Sequence, residues 1–212
     1  MSETTDWASE AEQRVLTAAL PLIAAKGWTR AVALEAGRAT GLSAGETELL
    51  LPHGAADLAA LLSRRQDAEA LASLAAVDPS KLKIRERIAQ AVEARLDAAC
   101  VEEAATRRWT GFLALPPNMP LGARLLWESA DALWRWAGDV SADENHYSKR
   151  ALLSAILAAG LAIRLTSGKA AATKHVAARI ENVMAFEKWK AGVKPADLMR
   201  DVAVALGKIR YR

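Results

Sequence analysis

The stretch that decides the fold runs from residue 115 to residue 163 and reads LPPNMPLGARLLWESADALWRWAGDVSADENHYSKRALLSAILAAGLAI. Its consecutive prolines, Pro116 and Pro117, remove backbone donors and predict that a helix arriving from the N-terminal side ends here. A new helix is predicted over residues 122–137, whose charged positions fall in one narrow wedge and leave an apolar arc of roughly 200°. That arc is about twice as wide as a surface helix needs for one core, so this helix is predicted to contact more than one neighbour.

A second helix follows after the turn that begins at Gly138. Residues 151–163 carry no charge, and as a helix they span only about 20 Å, which is too short to cross a bilayer. The pattern therefore predicts the central buried helix of a soluble domain. Its small residues, Ala155, Ala158, Ala159 and Gly160, leave room for a neighbouring helix or for a ligand.

The composition predicts an all-α protein. The chain has 212 residues, about half of them apolar, and no stretch alternates polar and apolar residues as a strand would. A single cysteine, Cys100, excludes an internal disulfide. The first twelve residues are acidic and contain no apolar run, which predicts no signal peptide, no membrane span and a cytoplasmic location.

The charges are divided unevenly along the chain. Up to Ser80 there are 6 basic and 11 acidic residues, a net of −5, and from Lys81 onward there are 22 basic and 14 acidic residues, a net of +8. The acidic start disfavours an approach of the first helices to nucleic acid.

The first part of the chain has the spacing of a helix-turn-helix domain. Helices are predicted over residues 10–25, 30–39, 44–51 and 55–74, with Thr29 as an N-cap and a glycine-bearing turn at residues 40–43. The positions of Gly27, Gly41 and Gly54 within this pattern resemble the N-terminal domain of TetR-type repressors over about the first 65 residues. The resemblance predicts a TetR-family-like fold in which this domain precedes a helical bundle with a hydrophobic cavity.

The third of these helices lacks the side chains that read DNA. Residues 44–51 contain Glu46, Glu48 and three leucines and have no cation, whereas reading a groove needs donors and positive charge. The pattern therefore favours an inherited scaffold that no longer contacts DNA, and it predicts three regions: a degenerate helix-turn-helix domain (1–74), a helical bundle (81–190), to which the family resemblance described below assigns lipid binding and dimerisation, and an amphipathic helix (195–212).

Two features leave alternatives open. Trp109, Phe112 and Leu113 lie close together on a helix predicted over residues 102–115, where they pack a core or line an apolar pocket. Beyond a helix predicted over residues 170–189, the final segment is amphipathic with a basic, aromatic end. It suits an anionic membrane surface, and equally a terminal helix docked on its own domain or on a second subunit.

Three motifs resemble a known family. Residues 115–120 (LPPNMP), 133–139 (LWRWAGD) and 143–151 (DENHYSKRA) are similar, in order and spacing, to the signature of the accessory lipid-binding proteins of ubiquinone (coenzyme Q) biosynthesis, a family that shares the TetR-type fold. The likeness runs from about residue 108 to the C-terminus. The sequence departs from the pattern at Pro117, where histidine is common, and at His146, where an aromatic residue is common, so the details of the partner contact differ.

The resemblance implies a non-enzymatic protein that needs no cofactor. Such a protein would hold a quinone precursor or another isoprenoid lipid in a hydrophobic cavity and form a homodimer. It would assist the demethoxyubiquinone hydroxylase and sit through its last helix on the inner face of the cytoplasmic membrane.

Three sets of residues are assigned on this basis. The predicted lipid-binding residues are Trp109, Phe112, Leu113, Met119, Leu126, Trp127, Ala130, Leu153, Ile156, Leu157, Gly160 and Met184. The residues predicted to meet the hydroxylase are Leu115, Pro116, Pro117, Asn118, Trp134, Trp136 and Asp139. The predicted membrane-contacting residues are Leu198, Met199, Val202, Leu206, Ile209 and Tyr211.

Other functions have less support. Asp143, Glu144 and His146 are close enough in sequence to suggest a metal site, but a capping box formed by Ser141 and Glu144 explains the cluster without a metal. The sequence contains no serine-histidine-aspartate arrangement, glycine-rich phosphate loop or paired cysteines. The alternative to the accessory protein is a TetR-type ligand-responsive repressor, and an enzyme built on a helical bundle is disfavoured because titratable groups do not cluster.

Overall fold

The structure is a computed structural model that describes residues 3–140 and 144–192, with side chains described over 7–140 and 146–183. Within these ranges the chain forms helices and no strand, which confirms the all-α prediction. The α-helices are α1 (Glu3–Lys26), α2 (Arg30–Ala39), α3 (Ala44–Leu50), α4 (Ala55–Ser73), α5 (Ile84–Val101), α6 (Glu103–Leu113), α7 (Met119–Trp136), α8 (Glu144–Ser167) and α9 (Lys169–Gly192).

The turn between α2 and α3 is fixed by local hydrogen bonds and by one close approach. The Thr29 hydroxyl accepts a hydrogen bond from the Val32 amide at 3.2 Å and so caps α2. Ser43 and Glu46 form a reciprocal capping box at the start of α3. A Cβ atom added to Gly37 would lie 2.1 Å from the Thr47 hydroxyl, so α2 and α3 can pack this closely only with glycine at that position.

One continuous hydrophobic core extends from α1 to α9. α4 packs against both α5 and α7, and α8 packs against α7 and α9. Buried polar groups join three of these helices, because the Asp67 carboxylate on α4 accepts hydrogen bonds from Arg95 on α5 at 2.5 Å and from Ser129 on α7 at 2.9 Å. This arrangement fixes α7, the tryptophan-bearing helix, against the first half of the chain.

The proline stretch continues into a helix earlier than predicted. Residues Pro116–Asn118 form one turn of 3₁₀-helix and α7 begins at Met119, not at residue 122. The reason is that Pro120 lies in the first turn of α7. The backbone amides of a first turn have no acceptor within the helix, so a proline there loses no hydrogen bond.

α8 runs from Glu144 to Ser167 and contains the uncharged segment 151–163. The sequence predicts a buried central helix there, but the segment is buried on one side only, with Ala151, Ala155 and Ala158 exposed. The helix also contains Arg150, which is 2% exposed and whose positive charge is paired inside the protein. Over His146–Ser167 its mean hydropathy is 1.4, which meets the criterion for a membrane span by length and composition alone. Buried core helices meet the same criterion, and α8 packs between α7 and α9.

Several predicted residues lie outside the part of the chain that the structure describes. Residues 195–212, which include all six predicted membrane-contacting residues, are among them, as are Ser141 and Asp143. Met184 falls within α9, but its side chain is outside the described residues.

Candidate functional site

The turn between α7 and α8 is held together by Asp139. Its carboxylate accepts hydrogen bonds from Lys149 Nζ at 2.7 Å and from Arg150 Nη1 at 3.0 Å. The Arg150 guanidinium also donates to Asp131 at 2.6 Å through Nε. These contacts explain why aspartate closes the 133–139 motif and why Lys149 and Arg150 occur in the 143–151 motif.

The charge of Arg150 is stabilised by this environment. Burial by itself would lower the pKa of Arg150, but the hydrogen bonds and opposite charges of Asp131 and Asp139 outweigh burial and raise that pKa above its ordinary value. Arg150 is therefore a permanent structural cation that ties the start of α8 to the end of α7.

Trp134 lies beside the same network. Its indole nitrogen donates a hydrogen bond to the Lys149 carbonyl at 3.1 Å, and the Lys149 ammonium lies 5.4 Å from the centre of the indole ring. The half-buried ring is thus fixed at the end of α7, with its lysine neighbour in position for a cation–π contact.

Gly138 allows a residue from α5 to complete the turn. Its φ angle of 89° lies in the left-handed region, and a Cβ atom there would lie 3.3 Å from Arg87 Nη1. Arg87 donates hydrogen bonds to the Ala137 carbonyl at 2.8 Å and to the Leu82 carbonyl at 2.9 Å. The guanidinium therefore caps the C-terminal end of α7, where the helix dipole is negative.

A cavity of about 460 Å³ opens between α5, the end of α7, α8 and α9. This volume is within the usual range of about 300–1,000 Å³ for small-molecule sites. Most of its wall is apolar, and cationic side chains stand beside the apolar ones. The lining residues are Ile84, Arg85, Arg87, Ile88, Trp134, Ala137, Gly138, Asp139, Ser148, Lys149, Leu152, Leu153, Ile156, Ile180 and Val183.

Few of the residues predicted to bind lipid lie at this cavity. Leu153 and Ile156 line it, whereas Trp109, Leu113, Ala130 and Leu157 are buried core residues. The Trp109 indole donates to the Ala59 carbonyl at 2.9 Å, and Phe112 stacks on Trp28.

The remaining predicted lipid-binding residues lie elsewhere. Leu126 is half-buried against the core, and Trp127 lies beside His146 and Tyr147 in an aromatic cluster. The space beside Gly160 is taken by Leu96 and Val176, each of which would lie 3.2 Å from a Cβ atom at that position, so here the small residue accommodates neighbouring helices. Met119 is 58% exposed next to the proline turn.

The predicted partner-binding residues separate into two groups. Leu115, Pro116 and Pro117 are exposed at the turn before α7, and the Asn118 amide donates to the Phe112 carbonyl at 3.0 Å. Trp134 and Asp139 belong instead to the cavity wall, and Trp136 is half-buried against the core. The structure therefore does not bring the seven residues together on one exposed surface.

Sequence reasoning missed the contribution of α5. The helix has the pattern of a regular amphipathic scaffold, yet Ile84, Arg85, Arg87 and Ile88 form one wall of the cavity. The available signal was the grouping of four basic residues, Lys81, Lys83, Arg85 and Arg87, with apolar residues over 81–88. Among the described residues, no group of three histidine, cysteine, aspartate or glutamate side chains could hold a metal ion.

Comparisons with known proteins place this geometry in a family context. Residues 119–187, which cover α7, α8 and most of α9, match the COQ9 family model. The chain is 32% identical over 164 residues to the mitochondrial ubiquinone biosynthesis protein COQ9 of Homo sapiens, and the alignment covers 73% of this chain and 51% of that protein. The corresponding protein of Bos taurus gives the same values. The predicted resemblance is confirmed, and the chain spans about half the length of the curated relatives it matches.

The fold is also found among bacterial regulators. A TetR transcriptional regulator from Nitrosomonas europaea ATCC 19718 superposes with a TM-score of 0.56 and 17% identity, covering 84% of this chain and 98% of the regulator. The predicted TetR-family-like fold is confirmed.

The predicted location is wrong. We expected a cytoplasmic protein on the inner face of the cytoplasmic membrane, but the curated relatives are named as mitochondrial proteins. The expectation rested on the absence of an apolar run near the start of the chain. That feature does not discriminate between the cytoplasm and an organelle.

Proposed function

We propose that this chain is an accessory protein of ubiquinone biosynthesis that binds a quinone-type isoprenoid lipid in the cavity between α5, α7, α8 and α9. The observation that carries the proposal is the position of the cavity. Eleven of its fifteen lining residues lie within residues 119–187, the segment that matches the COQ9 family. Apolar side chains such as Leu153, Ile156 and Ile180 offer an environment in which an isoprenoid group is removed from water.

A non-catalytic role agrees with the bonding of the polar groups. Asp139 is the one carboxylate among the described lining residues, and it is already engaged by Lys149 and Arg150. A general acid or base has to exchange protons with a substrate, and a carboxylate held between two cations is poorly suited to that work. The cavity therefore favours binding and presentation of a lipid over its chemical conversion.

The demethoxyubiquinone hydroxylase is the proposed partner, and the proline turn is its proposed contact. Leu115 is 53% exposed and Met119 is 58% exposed on consecutive turns of the chain, with Pro116 and Pro117 between them. Exposed apolar residues in a rigid turn are suited to a protein interface. Trp134 and Asp139 lie at the C-terminal end of α7 and just beyond it, and they would instead act at the lipid.

The outward face of α8 supports the proposed homodimer. Ala151, Ala155, Ala158 and Ala162 are exposed on this helix, and an uncharged face of small residues lets a second helix approach closely. Membrane association through residues 195–212 remains part of the proposal on the basis of their amphipathic sequence.

The second candidate is a ligand-responsive repressor, which the helix-turn-helix arrangement of α2 and α3 favours. Its difficulty is the surface of α3. Glu46 and Glu48 are exposed there together with Leu49, which is 85% exposed, and Glu48 is paired with Arg30. Carboxylates facing the phosphates of DNA would weaken binding.

One experiment separates the two candidates. The full chain is purified from cells that make ubiquinone and analysed by native mass spectrometry, followed by lipid extraction. Release of a quinone or quinone precursor from a dimer supports the accessory role. A lipid-empty protein that retards a DNA fragment from its own promoter in a gel, with affinity that falls as salt rises, would replace it with the repressor.

A further inference from the structure

The wall of the cavity is positively charged. Within the part of the chain that the structure describes, three cationic side chains, Arg85, Arg87 and Lys149, line it together with one carboxylate, Asp139. A purely hydrophobic ligand would gain nothing from these charges, which lie beside Ile84, Ile88 and Leu152. The combination of an apolar chamber and a cationic edge calls for a ligand with two chemically different ends.

The single carboxylate is already compensated. Asp139, whose side chain is 5% exposed, contacts Lys149 at 2.7 Å and Arg150 at 3.0 Å. Its negative charge is therefore matched within the turn. Among the described lining residues, no further carboxylate faces Arg85 and Arg87.

Arg87 carries a charge that its hydrogen-bond partners do not cancel. Among the described residues, it donates to the carbonyl oxygens of Leu82 and Ala137, which are neutral groups. It also acts on the carboxylate of Asp78, which is exposed and outside the cavity wall. The pKa of Asp78 is lowered mainly by hydrogen bonds from Ser80, and Arg87 contributes only weakly.

Arg85 adds a second positive charge at the solvent-exposed edge of the cavity. It lies 3.5 Å from Glu181, and both side chains are about half exposed or more. A solvent-exposed pair at this distance is weak. Arg85 can therefore turn towards an anion at the edge of the cavity at little cost.

The Arg87 guanidinium is held in place before any ligand arrives. Two backbone carbonyls fix it, and Gly138 leaves the space it occupies. A guanidinium has five N–H donors in a rigid plane and matches the oxygens of a carboxylate or phosphate. Preorganisation of this kind lowers the entropic cost of binding.

We propose that the cavity selects an amphiphile with one apolar chain and an anionic carboxylate or phosphate head, which binds at Arg87 and Arg85 while the chain lies against Leu153 and Ile156. The proposal rests on the proposed function, since it concerns the same cavity, and it narrows the ligand from a quinone-type lipid of any charge to one that carries an anionic group on its head. A guanidinium can donate two parallel hydrogen bonds to the two oxygens of a carboxylate or phosphate, whereas a hydroxyl offers one uncharged acceptor oxygen. The head therefore decides between ligands of equal chain length.

The test compares matched ligands by isothermal titration calorimetry on the full chain at pH 8. The probes are dodecanoate, dodecyl phosphate and the neutral 1-dodecanol, together with a short-tailed ubiquinone and inorganic phosphate. The variants are Arg87→Gln and Arg85→Gln, and the control is Arg38→Gln, which removes the same charge from an exposed position on α2. Arg85→Gln breaks only an exposed ion pair, so it reports on the head group even where Arg87→Gln lowers stability.

We expect dodecanoate and dodecyl phosphate to bind about tenfold more tightly than 1-dodecanol. Arg87→Gln and Arg85→Gln should each reduce this preference, whereas Arg38→Gln should keep it. Inorganic phosphate should not displace dodecanoate, because it has no chain to bury.

Three results would overturn the proposal. They are equal affinity for dodecanoate and 1-dodecanol, an unchanged preference in both cavity variants, and displacement of dodecanoate by inorganic phosphate. If the ubiquinone and 1-dodecanol bind as well as dodecanoate, the head-group inference fails and the proposed function stands. If no amphiphile or quinone binds, the lipid-binding function fails with it.

Discussion

Asp139 Oδ2 and Arg150 Nη1 lie 3.0 Å apart across the turn between α7 and α8, and their side chains are only 5% and 2% exposed. Asp139 belongs to the 133–139 motif and Arg150 to the 143–151 motif, so the ion pair joins the two motifs in the structure. It closes the turn that carries Trp134 and Gly138 to the edge of the cavity.

Replacing Asp139 with asparagine should destabilise the protein. The substitution keeps the shape but leaves Arg150 with Asp131 as its remaining carboxylate, and breaking a buried pair costs roughly 3–5 kcal/mol. We expect the lower end, about 3 kcal/mol, in urea unfolding. The control is Arg135→Gln, which removes an exposed partner of Asp131 and should change stability by less than about 0.5 kcal/mol. Equal effects of the two variants would refute the structural role of Asp139.

Replacing Gly138 with alanine should be costly for two reasons. The left-handed φ of 89° costs an L-residue about 1–2 kcal/mol, and the new methyl group would crowd Arg87. Gly111→Ala is the matched control, because nothing lies within 4 Å of a Cβ atom at that helical position. Thermal unfolding should give a lower midpoint for Gly138→Ala and an unchanged or higher one for Gly111→Ala, and the opposite order would contradict the geometry described for the turn.

The exposed proline turn can be tested by a charge at Leu115. Leu115→Asp should weaken binding of the hydroxylase by about tenfold or more, as expected for an anchor residue of an interface, and it should leave lipid content unchanged. Leu49→Asp introduces the same charge at a position that is 85% exposed on α3 and should have no effect. Surface plasmon resonance against the immobilised hydroxylase measures both, and unaltered binding by Leu115→Asp would exclude the turn from the contact.

The cavity can be filled from α8. Leu152 lines the cavity, and Ala104 is exposed on α6 and is not a lining residue, so Leu152→Trp adds an indole inside the chamber and Ala104→Trp adds one outside it. We expect the first to lower the amount of co-purified lipid by about tenfold through loss of volume and the second to leave it unchanged. Quantitative lipid extraction per mole of protein decides, and equal lipid content would place the ligand elsewhere.

The start of α3 should show a defined acid response. Hydrogen bonds from the Ser43 hydroxyl and then from its amide lower the pKa of Glu46 below its ordinary value. A depressed folded-state pKa stabilises the protein above the unfolded-state pKa of about 4.3, and this stabilisation is lost as the pH falls through the folded value. Ser43→Ala should move the pKa of Glu46 back towards that ordinary value in an NMR titration, whereas Ser73→Ala should not. If the pKa of Glu46 were the same in Ser43→Ala as in the unsubstituted protein, the capping box would be contradicted.

Local signals account for the helix boundaries better than for the site. Thr29 and the glycine turn fix α2 at residues 30–39, as predicted, because a helix cap depends on residues adjacent to the helix end. The start of α7 differs from the prediction because Pro120 acts as a first-turn residue and not as a helix breaker. Both outcomes follow from interactions within a few positions of one another.

The cavity depends on contacts between residues far apart in sequence. Arg87 and Ala137 are hydrogen-bonded although 50 positions separate them. The hydrophobic periodicity of α5 and α7 does not predict that contact. The family resemblance assigns Asp139 to a partner surface, whereas here Lys149 and Arg150 neutralise it inside the protein. Trp109 is ambiguous in the sequence for a related reason, since only the fold places its indole against the Ala59 carbonyl.

The cavity is lined partly by residues outside the segment that matches the family model. That segment alone therefore does not contain the whole site. Residues 119–187 contribute three of its walls, but Arg85 and Arg87 come from α5, upstream of that segment. A fragment cut at the boundary would keep every signature motif from α7 onward and lose the cations that we assign to the head group. Relatives could likewise exchange the residues at positions 85 and 87 and so diverge in ligand preference while their shared motifs stay the same.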